Sequence, residues 1–157
     1  MIMKKIIKLY GDLDGKIVRD LFDTLYLYGN EARGQHPQIT LLIEGTCEYQ
    51  TYVKIKNILD VFKNDFDFKT ICIGEAKDFS AMIFLLGRRR VMLGNNSTLN
   101  FGLVTDLKIE SIYQFVDKIK YTKESLRSLL LQNREIDANM TKQLGLANQI
   151  ALSPDDI

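Results

Sequence analysis

The chain has 157 residues, of which 46% are hydrophobic and 26% charged, and its formal net charge is +1. That length suits one domain over residues 1–157, burying roughly two-thirds of its extended-chain surface, and the near-neutral balance removes the electrostatic ground for nucleic acid or an anionic membrane as the main partner. Two separated cysteines, Cys47 and Cys72, make no disulfide framework and suit a reducing, cytoplasmic setting. In chain order, the opening MIMKKIIKLYGD has lysines but only a broken apolar run, too short for a leader or a membrane span. Residues 6–10 read as a strand closed by Gly11. Over 16–28, Ile17, Leu21, Leu25 and Tyr28 recur at helical spacing.

Residues 38–44 (QITLLIE) form a short, nearly continuous apolar run, the pattern of a buried parallel strand. A helix is predicted over 48–63, with Tyr52, Ile55, Ile58, Leu59 and Phe62 on one face. A strand follows over 68–73, then a buried helix over 78–86 and short strands over 90–93 and 99–101. Beyond Asp106 the reading is helical, with one stripe of Ile109, Ile112, Tyr113, Val116 and Ile119 and another of Leu126, Leu129 and Leu130. Alternating strands and helices imply right-handed crossovers and an α/β fold with a parallel core sheet. Ligands gather at the carboxyl ends of such strands, here 45–48 and 74–78.

The segment GEAKDFSAMIFLLG (74–87) resembles the stretch around the catalytic serine of the proteolytic subunit of Clp protease, within the Clp protease/crotonase group. Weaker likenesses keep the same order: ITLLIEG (39–45) is similar to the strand before the family's glycine pair, TDLKIES (105–111) to the start of its protruding helix, and LGLANQI (144–150) to its closing segment. The resemblance runs from Ile6 to about Ile150 and implies a Clp-protease-like fold, a crossover-helix layer and a C-terminal helical region.

Residue by residue, the family's catalytic pattern is not reproduced. The serine falls on Asp78, the histidine on Phe101, and the third member on Asn133, or on Asp137 if a gap is moved. The oxyanion-loop glycine pair falls on Gly45, Thr46, Cys47 and Glu48, which hold one glycine and are one residue short. A serine protease needs a neutral hydroxyl, a base and donors for an oxyanion, whereas Asp78 places a carboxylate where negative charge must develop. As an aspartate before a helix it is expected to cap free N–H groups. Ser80 lies about 200° further round that helix, so its hydroxyl is expected to bond back to the preceding turn.

The single histidine, His36, precedes the strand that Cys47 follows, about 25 Å away at ~3.3 Å per residue, which excludes a Cys47–His36 dyad. Cys47 reads as a small hydrophobe with no cation beside it to lower its pKa. Glu48, Glu75 and Asp78 are candidates to converge at the strand ends, and Arg88-Arg89-Arg90 reads as a surface or subunit-contact run. No cofactor or metal is expected.

The leading expectation is a catalytically inactive Clp-protease-like subunit, an oligomeric scaffold or the partner or regulator of an active Clp protease. A hydrolase or crotonase-like enzyme with a rearranged carboxylate site, using Asp78, Glu48 or Glu75, is the alternative. The family forms stacked rings, so a homo-oligomer or a mixed assembly with an active Clp subunit is expected. Three departures shape that expectation: the chain starts at the first core strand without the pore-gating segment, the region matching the protruding helix (106–122) is about two turns short, and two tyrosines that dock the partner ATPase fall on Thr40 and Leu42.

Overall fold

The computed structural model describes residues 4–117 and 119–157. Met1, Ile2 and Met3, part of the opening read for a leader, and Lys118, within the helix expected over 106–122, lie outside the described residues. The elements run β1 (Lys4–Asp12), α1 (Gly15–Glu31), β2 (Gln38–Cys47), α2 (Tyr49–Phe62), β3 (Asp67–Asp78), α3 (Phe79–Phe84), β4 (Arg89–Leu93), β5 (Thr98–Asn100), α4 (Asp106–Phe115), α5 (Lys123–Gln132), β6 (Glu135–Asp137), α6 (Ala138–Gln143) and β7 (Gln149–Ala151), closed by a 3-10 turn. Strand order is β1-β2-β3-β4-β7, all parallel, with β5 beside β3 and β6 antiparallel to β5.

The apolar run of β2 places Ile39, Leu41 and Ile43 at 0% exposure. The face they help to form lies under the helices: α1 buries Leu21, Leu25 and Tyr28, α2 buries Tyr52, Ile55, Leu59 and Phe62, and α3 is buried from Ser80 to Phe84. Each large apolar side chain buried in this way contributes about 1.5–3 kcal/mol. Asp14 starts α1 by accepting a hydrogen bond from the Ile17 amide at 3.0 Å. On the other face of the sheet a smaller cluster of Ile71, Val91 and Ala151 lines up with Leu42, Ile73 and Leu93. That face carries an open groove of about 570 Å³ to which Thr40 and Leu42 contribute.

One feature of β3 positions everything that follows. Its first half pairs Lys69–Cys72 with β4, and its second half pairs Glu75–Lys77 with β5. A register irregularity between Ile43 and Gly45 accompanies the change on the β2 side. The strand therefore extends to Asp78, five residues beyond its predicted end at residue 73, and delivers Asp78 in register with Cys47.

Three expectations are corrected. The single helix over 106–122 ends at Phe115, with Val116 extended at φ −109°, ψ 111°. Folding back lets Leu126 and Leu130 of α5 bury at 0% and 1% exposure, and Lys123–Glu110 (2.8 Å) and Arg127–Asp106 tie the two helices at the surface. Burial decides here, because exposed ion pairs contribute only about 0–1 kcal/mol. The three-residue strands β6 and β7 fall in the region read as helical; they are too short to show an alternation. Third, Arg90 is not a surface residue. It is 6% exposed and donates to the carbonyls of Leu146 (2.7 Å) and Gly87 (3.0 Å), while Arg88 and Arg89 stay exposed.

Candidate functional site

At the end of β3 the chain turns sharply into α3, and Asp78 holds that turn at φ 55°, ψ −125°. A side chain in this region of φ/ψ space costs on the order of 1–3 kcal/mol, and such strain is stored at functional turns. The expected cap is absent: the Asp78 carboxylate makes no hydrogen bond to the helix N–H groups. Its Oδ2 instead accepts from the Thr46 hydroxyl at 3.3 Å, across to β2. The positive φ is the physical reason, since it swings Cβ away from the first turn of α3, where a capping aspartate with extended backbone would sit.

The segment 45–48 faces Asp78. Gly45 has φ 110° and lies in register with Gly11 of β1, and a Cβ there would stand 2.7 Å from the Gly11 amide nitrogen. Close strand approach thus requires this glycine. The Cys47 thiol is 3% exposed and donates to the Glu48 carbonyl at 3.3 Å. Burial, reinforced by the charge of Glu48, pushes it up to about 12, so it stays a protonated small hydrophobe at neutral pH. Glu48 precedes α2, exposed and without a capping bond.

Lys108 is the residue that sequence reasoning passed over. Thr105 caps α4, and one turn in, Lys108 is 4% exposed. Its Nζ donates to the carbonyls of Phe101 (2.6 Å) and Leu103 (2.8 Å) and lies 4.7 Å from the centre of the Phe79 ring. Burial holds its ammonium below the ordinary lysine value, with Asp78 opposing that shift. Between the two groups runs Gly102 at φ 60°: a Cβ on it would collide with the Asp78 carboxylate and stand 3.8 Å from Lys108 Nζ. A signal was present, because Lys108 is four residues before Ile112 and shares its inward helix face.

Asp78, Thr46, Cys47, Glu48 and Lys108 line one cavity of about 620 Å³ at the carboxyl ends of β2 and β3, with Asp12, Leu13, Tyr49, Phe79 and Leu103 among its walls. The other sequence candidates lie elsewhere. Phe101 is fully buried, its amide bonded to the Arg134 carbonyl at 3.1 Å. Asn133 is exposed at the end of α5, where its Nδ2 donates to the Leu129 carbonyl at 3.4 Å. Asp137 caps α6 by accepting from the Met140 amide at 2.8 Å. Neither Asn133 nor Asp137 lines the cavity.

Glu75 is exposed opposite Thr98 of β5 and does not join Glu48 and Asp78. Among the described residues, no three metal-ligating side chains converge. Ser80 is fully buried, and its hydroxyl has no partner among the described residues rather than bonding back to the preceding turn. Ser80 is the second residue of α3, so the residue four back is still in the strand and offers no helical carbonyl. His36 sits before β2 at φ 51° with Nδ1 3.2 Å from the Asn64 carbonyl, at the opposite end of the strand from the cavity.

No family model matches the sequence, and no curated protein matches it. In backbone shape the chain is similar to the catalytic domain of the ClpP protease from Plasmodium falciparum, at 20% identity and a TM-score of 0.73, covering 95% of this chain and 85% of that one. A second solved structure, described as an enzyme, superposes with a TM-score of 0.73 at 19% identity, covering 94% of this chain and 95% of that one. The fold is ClpP-like.

Within a ClpP-like frame, the strand-to-helix turn at Asp78 corresponds to the segment read from GEAKDFSAMIFLLG. The strained turn and the adjoining cavity are lined by a carboxylate, a hydroxyl, a buried thiol and a buried amine. Such a set has the chemistry to hold polar groups, and among the described residues no imidazole lines the cavity beside a hydroxyl. No helix among the described residues is long and apolar enough to cross a membrane.

Proposed function

We propose that this chain is a ClpP-like subunit without serine-protease chemistry, working through assembly: an oligomeric, cytoplasmic scaffold, or the partner or regulator of an active Clp protease. The observation that carries the reading is Asp78 at the strained turn, φ 55°, with Phe101, matched to the family's histidine, fully buried. A carboxylate there repels a developing oxyanion, and a phenyl ring takes no proton. The early end of α4 supports a single-ring, smaller or mixed oligomer, because the family's corresponding helix joins ring to ring. Thr40 and Leu42 on the open sheet face support weakened docking of an unfoldase. A fluorophosphonate probe is expected to leave the purified protein unlabelled while labelling an active Clp protease, and light scattering is expected to give a species larger than one chain. Labelling of a residue in the cavity, or a strict monomer at high concentration both alone and with an active Clp subunit, would overturn this reading.

One observation favours a second reading. The cavity at Asp78 stands open at about 620 Å³ instead of being filled by side chains. A carboxylate-based hydrolase or crotonase-like enzyme acting on acyl thioesters needs such space. Thioester turnover that disappears in Asp78→Ala supports it; no turnover across short and long acyl chains removes it.

A further inference from the structure

The amine of Lys108 has no role in either reading. Its burial at 4% exposure, in a helix start that the sequence makes amphipathic, is an expensive placement for an ammonium. Two of its hydrogen-bonding directions are taken by the carbonyls of Phe101 and Leu103. Those two bonds use both N–H groups of a neutral amine, and the remaining tetrahedral direction has no hydrogen-bond partner among the described residues. Near Nζ stand the Phe79 ring, its centre 4.7 Å away, and, across the bare Cα of Gly102, the Asp78 carboxylate. Four ion pairs form among the described residues, and Asp78–Lys108 is not one of them. The two groups flank a gap rather than closing it, and both face the cavity of about 620 Å³.

We propose that Lys108 is a carbonyl-trapping amine: a small, neutral aldehyde or ketone entering this cavity condenses with Nζ to an imine, with Asp78 as the proton partner. The inference goes beyond both readings above, because such condensation requires neither assembly nor acyl transfer. The proton count closes. The ammonium gives one proton to the Asp78 carboxylate, and the freed lone pair adds to the carbonyl carbon while a nitrogen proton moves to the oxygen, giving a carbinolamine. Protonated Asp78 then returns its proton to the hydroxyl, which leaves as water, and the nitrogen lone pair forms the C=N⁺ bond. The products are a protonated imine, one water and the original carboxylate. A desolvated lysine beside a carboxyl group is the arrangement this chemistry uses. Selectivity for neutral carbonyls follows from the walls, where, among the described residues, Asp12, Glu48 and Asp78 stand against one cation, Lys108.

The test is reductive trapping on the folded, full-length chain. The protein is incubated with butanal or with glyoxylate in the presence of cyanoborohydride, and labelled peptides are mapped by mass spectrometry. Butanal is expected to mark Lys108 ahead of the exposed lysines, glyoxylate to mark it far less, and Asp78→Asn to slow its labelling by roughly a hundredfold while leaving the other lysines unchanged. Lys108→Arg, which keeps a donor to the two carbonyls, is expected to lose the label with an unaltered circular dichroism spectrum. Labelling of Lys108 no faster than the exposed lysines in the unmutated protein overturns the proposal, whichever variants fold. Equal labelling by butanal and glyoxylate, or an unchanged rate in folded Asp78→Asn, does so as well. Because the readout is a covalent mark, its failure is distinct from a monomer in light scattering or from silence on thioesters.

Discussion

At Asp78 two demands compete, and strain wins. A carboxylate before a helix gains about 1 kcal/mol by capping, yet here it forgoes the cap and keeps φ at 55°. The compensation comes from tertiary partners: the Thr46 hydroxyl at 3.3 Å and the nearby Lys108 ammonium. Gly45 shows the same logic at the backbone. Its φ of 110° and its approach to Gly11 leave no room for a methyl group. Gly45→Ala is expected to cost about 3 kcal/mol or more, from strain added to a backbone clash, and a urea melt with a lowered midpoint at unchanged slope checks it. Asp78's position was legible from the strand–turn–helix pattern. Its missing cap was not, because φ at one residue depends on how β3 is held between β2 and β5.

Among the elements, β4 pairs with β3 and β7, and the buried side chain of Arg90 adds ties to its neighbours. Arg90 donates to the carbonyls of Leu146 and Gly87, and its own amide donates to the Asn148 side-chain oxygen at 2.6 Å, joining the end of the α3 turn to the segment before β7. Burial pulls its guanidinium below the ordinary value, so the carbonyl bonds are what make the placement tolerable. Arg90→Met keeps most of the stem and leaves those carbonyls unpaired, at an expected cost of about 2–4 kcal/mol. Hydrogen exchange checks it, with protection lost first in β4 and β7. In sequence Arg90 was one of three adjacent arginines, and nothing in a run of like residues says which of them turns inward. The helices α1 and α2 were legible because a stripe at i, i+3 and i+4 survives any tertiary context that covers it. The break after Phe115 was not, since the apolar stripe continues to Ile119 and only the return of α5 decides where the helix stops.

For the whole molecule, the buried titratable groups make stability fall in alkali. Burial pushes Cys47 up to about 12 from 9.0, Tyr52 up to about 12 from 10.0 and Cys72 up to about 11 from 9.0. Each is neutral when protonated, so above pH 9 the unfolded chain has released protons that the folded chain retains, and stability is lost as pH rises toward 12. Lys69 and Lys108 are lowered from 10.5, chiefly by burial, and act in the opposite sense until the unfolded ammonium titrates at that pH. The expected melting curve is therefore steepest in its decline above about pH 10.5, where the lysines no longer oppose the thiols and the phenol. Combining Cys47→Ala with Cys72→Ala is expected to flatten it, measured as thermal midpoint against pH.

The sequence by itself determined the alternating strands and helices, the parallel α/β fold and the ends of β2 and β3 as the place where a site would lie. Hydrophobic period and apolar run length are local quantities, and GEAKDFSAMIFLLG marks its turn within fourteen residues. Only the tertiary structure decided what that place contains. Lys108 comes from α4, thirty residues beyond Asp78, and its amine meets the turn because the carbonyls of Phe101 and Leu103 hold it there. Asn133 and Asp137 are left at helix ends, outside the cavity, for the same reason. Which distant groups share a cavity depends on how helices close over a sheet, and that closure is set by the packing of many side chains at once.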